Sequence, residues 1–384
     1  MVILRIKLNN ILAFKNFEVN FGYSRKLNKS LIEGEYLKTV PSFRYKKLIV
    51  LIGSNASGKT SLIKALWRTT LFLNNKDESK LDDILDANNK DDSQIELDFA
   101  NEFEDKATLF RTKIRITYDR QTNARTVGMA MYSKKLSNGD SYENCIEELD
   151  AQKYDYMDWK ETLKDFPTNF GWNVVLPSTE KYFDHVTISD TNNEKETKDY
   201  YNILNNVMKT LDPSIIEVSK SLDSKDAIAV KFKNREPILI QTGHLISGIP
   251  FLSSGTKYGI QISNILYAIK NHQNGLYLVD EQFSYVTSDI EVAILTTMTS
   301  LLGSEEQLFF TTHNSNILDL RFPFHSFYFM KKTMIDGEAL ITISCASDLE
   351  NRNNVSPKNM FDNDAFAAAP DVDKIYSLGD KENE

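Results

Sequence analysis

Apolar residues at Val2, Leu4, Ile6 and Leu8 alternate with polar Arg5 and Lys7, the period of two that predicts a β-strand. A turn at Asn9 and Asn10 leads to a second alternation at Phe17, Val19 and Phe21. The polar stretch 22–41 reads as loop, and the apolar run Leu48-Ile49-Val50-Leu51-Ile52 predicts the next strand. After a short break, Leu62, Ile63, Leu66 and Trp67 fall at spacings that share one face of a helix. Residues 74–93 are rich in Asp, Asn and Lys and read as a solvated connection.

From Gln94 to about Met131 short strands follow one another, Ile95–Phe99 and Ile114–Tyr118 among them. Sequential strands with short turns pair as an antiparallel meander. The region from about 140 to 212 reads as polar, aromatic and mostly helical. Its clearest helices are Tyr154–Leu163 and Asp199–Leu211, the second stopping at Asp212-Pro213. Strands are expected at Ile228–Phe232 and Ile238–Gln241. The aromatic residues here, such as Trp159, Phe166, Trp172 and Tyr200, read as packing, because no basic neighbours sit at spacings suited to stacking on a nucleic-acid base.

A strand–helix rhythm then returns. Ser253–His272 and Thr287–Leu301 have helical spacing, whereas Gly275–Val279, Gln307–Thr311, Ser326–Met330 and Ala339–Cys345 read as strands. From Asn351 the chain is polar, and Asp371–Glu384 reads as a frayed acidic end. The pattern divides the chain into an N-terminal lobe (1–135), an inserted helical, partner-binding region (136–240), a C-terminal lobe (241–350) and a polar extension (351–384).

With 41% hydrophobic residues in 384, the chain can bury a substantial core. A net charge of −9 argues against a surface broadly coated for nucleic acid, while leaving room for a local basic groove. Cys145 and Cys345 are the only cysteines and fit a reducing cytosol. No apolar run of about 18 residues exists, and the first residues lack the apolar core and cleavage site of a secretion signal. A cytoplasmic protein without a membrane segment is expected.

The chemistry centres on Gly53-Ser54-Asn55-Ala56-Ser57-Gly58-Lys59-Thr60, followed by Ser61, between the apolar run and the helix. Strand, glycine loop and helix are the context of a phosphate-binding loop, whose amides and helix N-terminus face a polyphosphate. Lys59 is expected on the β- and γ-phosphates of ATP, and the Thr60 hydroxyl on Mg²⁺. At average residue frequencies such a string arises by accident in about 1% of chains this long.

Three later stretches define what surrounds that loop. The strand ending in Asp280-Glu281 offers one carboxylate for Mg²⁺ beside Thr60 and a second to deprotonate an attacking water. Leu252-Ser253-Ser254-Gly255-Thr256 opens a helix; alone it is an N-cap, but two serines and a glycine there also make an anion site. The strand Phe309-Phe310-Thr311-Thr312 ends in His313-Asn314, and the order of the motifs places His313 near the γ-phosphate.

In combination these stretches resemble the ATP-binding-cassette ATPases of the SMC/RecF/OLD-like branch. Gly53–Thr60 matches Walker A, Leu252–Thr256 resembles the signature motif, Tyr277–Glu281 matches Walker B, and His313 matches the switch histidine. Leu4–Phe17 is similar to that branch's N-terminal strand and turn. More narrowly, Leu-Ser-Ser-Gly-Thr, Thr-Thr-His-Asn and the tail Asn351–Asp373 resemble bacterial abortive-infection ATPases of the AbiL, RloA, PtuA and AriA kinds. The chain departs from transporter subunits at Ser254 and Thr256, and Gln282–Asp289 lacks a Ser-Ala-Leu-Asp loop. Gln94, the candidate for a glutamine loop, reads instead as an exposed polar residue.

The resemblance implies an α/β fold of P-loop head type, with a mixed sheet, an antiparallel meander and an inserted, mostly helical region. It also implies a homodimer or higher homo-oligomer, with ATP held between Walker A of one protomer and Ser253, Ser254 and Gly255 of another. Glu281 and His313 are then catalytic, and Thr60 and Asp280 hold Mg²⁺. The resemblance implies an anti-phage switch, and its effector, a nuclease or toxin, is expected on a separate chain, since only about 70 residues follow His313 and they lack a carboxylate cluster. A RecF-like DNA-repair ATPase is the alternative. A transporter subunit is disfavoured by the roughly 190 residues between Thr60 and Ser253.

Overall fold

A computed structural model describes residues 1–23, 32–86, 91–164 (except 104, 120 and 123), 166, 172–175, 194–221, 227–241, 244–245, 254–281 (except 274), 283, 286–349, 356–366 and 376–377. Its centre is a six-stranded sheet in the order Glu338–Cys345, Phe327–Ile335, Leu48–Ile52, Gln307–Thr312, Leu276–Asp280 and Trp172–Val175. All neighbours are parallel except the outermost hairpin, Phe327–Ile335 with Glu338–Cys345. Strands covered on both faces need apolar residues at every position. Leu48–Ile52 meets that need: Ile49 and Leu51 join the core on one face, and Leu48, Val50 and Ile52 the core on the other. The strands Leu276–Asp280 and Gln307–Thr312 divide their residues in the same way.

The helix Lys59–Asn75 covers one face, with Leu62, Ile63 and Leu66 fully buried as their spacing requires. Against it stands a second, antiparallel sheet in the order Phe17–Asn20, Val2–Asn9, Ser93–Phe103, Lys106–Tyr118, Arg125–Lys135 and Met157–Asp158. Ile6 lies opposite Val19 and Leu97, and Ile95 opposite Ile114, so the alternating apolar residues form one continuous face. The mixed fold with an antiparallel meander is as the sequence implies.

Four local expectations are corrected. Residues 74–93 are not simply solvated: Glu78–Ile84 forms a 3₁₀ turn capped by Asp77, which accepts from the Ser79 amide, and it buries Leu81 and Ile84 beside the helix. Tyr154–Leu163 is helical only over Trp159–Thr162, because Met157–Asp158 pairs with Gly128 and Met129 as an edge strand. Trp172–Val175 is not helix but the last strand of the central sheet, in register with Leu276–Val279. Ile215–Lys220 is a further strand, which joins the expected Ala227–Phe232 and Ile238–Gln241 and the short His244–Leu245 in a separate antiparallel sheet. The long helix of this region, Glu194–Leu211, stops before Pro213 as anticipated. The expectations for Gln282, Ser284 and Tyr285, for most of the tail 351–373 and for most of the acidic end lie outside the described residues.

One acidic pair of this frame has a pH signature. Glu305 sits half-buried next to Glu102, whose carboxylate accepts from the Lys38 amide at 3.1 Å and from the Thr39 amide. Burial first, then the hydrogen bond to Glu102 and its charge, push the Glu305 carboxyl up to about 7; the Met1 amino group and Lys38 oppose this. Between the ordinary carboxylate range and pH 7 the folded chain therefore binds the extra proton at Glu305, so the destabilising contribution of Glu305 is complete above pH 7 and disappears in acid. Glu305→Gln, which still donates to Glu102, should raise the melting temperature by about 1–3 °C at pH 8 and leave it unchanged at pH 5. Equal shifts at the two pH values in a thermal melt would exclude this account.

Candidate active site

Parallel register brings three loops to one edge. Asp280 pairs with Thr311 and Ile52 with Thr312, so Gly53, Glu281 and His313 leave the carboxyl ends of three adjacent strands side by side. That crevice is where open α/β sheets take ligands. The loop from Gly53 turns tightly into the helix, with the Ser57 amide donating to the Ser54 carbonyl at 3.2 Å. Two glycines are required by this path. A Cβ at Gly53 would collide with the Met330 carbonyl and the Ser57 hydroxyl, and Gly58 has φ +105° with the Ile341 side chain 2.9 Å from where its Cβ would lie.

Lys59 opens the helix and folds back over the loop. Its buried ammonium donates to the carbonyls of Gly53 (3.0 Å) and Ser54 (3.1 Å), and lies 3.4 Å from Glu281 Oε1. Burial lowers the Lys59 pKa, while the charges of Glu281 and Asp280 counter it. The neighbouring Thr60 hydroxyl hydrogen-bonds with Asp280, a fully buried carboxylate that also accepts from Thr311 Oγ1 at 2.6 Å. Burial raises the Asp280 pKa against both hydrogen bonds. A hydroxyl and a carboxylate in contact form the donor pair a hard cation shares with phosphate oxygens and water. The residues therefore fit Mg²⁺ with ATP: two oxygen donors, a lysine beside them, and a loop whose glycines leave the backbone open. Among the described residues no group of three or more His, Cys, Asp or Glu side chains forms a metal cluster.

Glu281 occupies the left-handed region, φ +48°, a cost of about 1–2 kcal/mol for a residue with a Cβ. Its amide donates to Thr311 Oγ1 at 2.9 Å, so one threonine holds both acidic residues. The Glu281 carboxylate lies 2.9 Å from His313 Nε2, and His313 Nδ1 lies 3.0 Å from the Gly53 carbonyl. A ring protonated on Nδ1 donates to Gly53, and a doubly protonated ring donates to both partners. The hydrogen bond to His313, then the charge of Lys59, hold the Glu281 carboxyl below the usual range in spite of partial burial. Glu281 is thus an ionised acceptor of protons, in contact with a cation and an imidazole.

The structure brings Lys59, Thr60, Asp280, Glu281 and His313 together. Ser253 lies outside the described residues; Ser254 and Gly255 open the helix Ser254–Lys270. Gln94 is exposed in the antiparallel sheet, on the strand between the first strand and Lys106–Tyr118, as its polar reading implies. Two residues that sequence reasoning missed support the site: Thr311, and Glu291, a carboxylate buried under the end of the histidine strand. Glu291 had a legible signal, since it stands at i−4 and i−7 from Leu295 and Met298 on the buried stripe of its helix. Two of the middle-region aromatics take basic neighbours from the meander, Lys113 over Tyr154 at 4.0 Å and Arg115 over Tyr156 at 4.2 Å, and Trp159 has the sequence-adjacent Lys160 at 5.5 Å.

Residues 5–254 match the model of a family described as an AAA domain. Comparison with curated proteins gives no sequence match. Among solved structures, the chain is similar to an SMC head bound to the C-winged helix domain of ScpA, with a TM-score of 0.51 and 14% identity over 91% of this chain and 100% of that one. The SMC head domain from Thermotoga maritima (TM-score 0.44, 12% identity, 90% and 99% covered) also matches. So does an Smc head with an extended coiled coil bound to the C-terminal domain of ScpA from Pyrococcus furiosus (0.46, 11%, 90% and 97%). The likeness to the first establishes the head-type P-loop fold.

Proposed function

The chain belongs to the AAA domain family, and from that premise we propose that it is an ATP-hydrolysing switch that closes as a dimer around nucleotide. The observation that carries this is the convergence on Glu281 of Lys59 at 3.4 Å and His313 at 2.9 Å, at the mouth of a glycine loop. Thr60 and Asp280 would hold Mg²⁺, which when bound would neutralise phosphate charge. Lys59 exchanges its loop carbonyls and Glu281 for phosphate oxygens. Glu281, relieved of that cation, accepts a proton from the attacking water, and His313 bridges it to the loop through the Gly53 carbonyl.

In the sandwich arrangement the helix beginning at Ser254 supplies amides, and the preceding Ser253 a hydroxyl, to nucleotide held by a second protomer. Ser253→Arg should leave ATP affinity within about twofold while abolishing hydrolysis and ATP-dependent dimerisation. Nucleotide titration, phosphate release and sedimentation with ATP check the three parts. A variant that turns over and dimerises normally rules the sandwich out.

Within this class we favour a sensor of an anti-phage system that controls a separate nuclease or toxin, supported by the resemblance of the Leu252–Thr256 and Thr311–Asn314 stretches to abortive-infection ATPases. An SMC-like role on DNA is the second reading, and the head-type fold favours it. Co-purification from the native host separates them: an effector protein in the complex supports the first, and hydrolysis stimulated by duplex DNA supports the second.

A further inference from the structure

The carboxylate of Glu291 has no part in the chemistry above, yet it is buried in the first turn of the helix Ser288–Leu301, directly beneath the histidine strand. Its two oxygens are divided between the residues on either side of His313. Thr312 Oγ1 donates to Oε1 at 2.6 Å, and Asn314 Nδ2 donates to Oε2 at 2.9 Å. The bracket is closed by the Asn314 amide, which donates to Thr312 Oγ1 at 2.9 Å. Asn314 is itself fixed on the far side, where its Oδ1 accepts from the Asn316 amide at 3.0 Å. A buried carboxylate is costly unless it is hydrogen-bonded, so its retention here demands both donors and holds them in one geometry.

We propose that Glu291 is a positioning residue for His313, fixing the backbone on both sides of the histidine so that its ring spans the Gly53 carbonyl and Glu281. This rests on the reading of His313 as part of the hydrolytic site. It has a structural corollary: the start of the helix that follows the acidic strand and the tip of the histidine strand form one unit. A shift of that helix start is therefore transmitted to His313 through two hydrogen bonds.

The test uses the full chain with isotope-labelled histidine, in which the His313 imidazole is the signal lost in His313→Asn. Glu291→Ala should shift or broaden the His313 ring signals while those of His272 and His325 stay in place. Thr312→Val, which removes the bond to Glu291 and the acceptor of the Asn314 amide but keeps the side-chain shape, should move the same signal. It also keeps the test available if Glu291→Ala does not fold. An unmoved His313 signal in the variants that fold overturns the proposal, as does an equal shift of all the histidines. In turnover, Glu291→Ala should lower kcat about tenfold with the ATP Kd changed less than twofold, and Glu291→Gln, which keeps an acceptor for Thr312, should recover most of the rate. A wild-type chain that cleaves no ATP defeats the hydrolytic reading, while the spectroscopic result still decides the role of Glu291.

Discussion

On the proposed hydrolytic reading, Glu281→Gln should lower ATP turnover by about 10²–10⁴-fold and leave ATP binding intact, because it removes the proton acceptor without removing the side chain's shape. The amide still accepts from Lys59 and His313 through its oxygen, so the local contacts at 3.4 and 2.9 Å have a replacement. It carries no negative charge, however, and cannot take a proton from water. Lys59 also loses an anionic competitor for the phosphates, so the ATP Kd should stay the same or fall. Under the sandwich reading the variant accumulates as an ATP-bound dimer. Single-turnover phosphate release, nucleotide titration and sedimentation with ATP test these parts separately. Turnover at the wild-type rate would falsify the assignment of the base.

Asp98→Ala should cost about 3–5 kcal/mol of stability, the usual effect of removing one partner from a buried charged network. Asp98 is fully buried and receives Arg111 in a two-pronged contact, Nε and Nη2 each at 2.7 Å. Arg5 Nε lies 3.1 Å away, and the Tyr142 hydroxyl donates to the same carboxylate at 2.6 Å. The three charged residues are direct cross-strand neighbours, Arg5 opposite Asp98 and Asp98 opposite Arg111. Alanine leaves two buried guanidinium groups short of an acceptor, although Glu96 and Asp150 remain near them. Asp155 provides the contrast: its pairing with Lys153 at 3.6 Å is almost fully exposed, and Asp155→Ala should change stability by less than about 0.5 kcal/mol. Denaturant unfolding of the two variants measures the difference. If Asp98→Ala is as mild as Asp155→Ala, the network does not hold the antiparallel sheet together.

That network also shows where a local pattern misleads. Arg5 reads as the outward partner of an alternating strand, yet it is buried, because the face it occupies is closed by Asp98, Arg111 and Tyr142. Alternation distinguishes two faces of a strand; it does not tell which solvent reaches them when charges on both sides compensate. The same limit applies to Trp172–Val175. Its register with Leu276–Val279 depends on a partner about 100 residues away, and its polar, aromatic surroundings resemble those of the neighbouring helices.

The sequence by itself determined the parts whose geometry is local. The run Leu48–Ile52, the glycines at 53 and 58, and the face of Leu62, Ile63 and Leu66 specify strand, turn and helix within some twenty residues, because φ and burial there depend on near neighbours. Asp280 and His313 announced themselves in the same way, each at or just beyond the end of an apolar strand. Only the tertiary structure decided that these ends meet. The parallel register sets Gln307–Thr312 between Leu276–Asp280, 31 residues earlier, and Leu48–Ile52, 260 residues earlier, and no local period encodes it. Thr311 and Glu291 gain their roles from that same meeting, since a buried hydroxyl or carboxylate must bond to whatever the fold sets beside it.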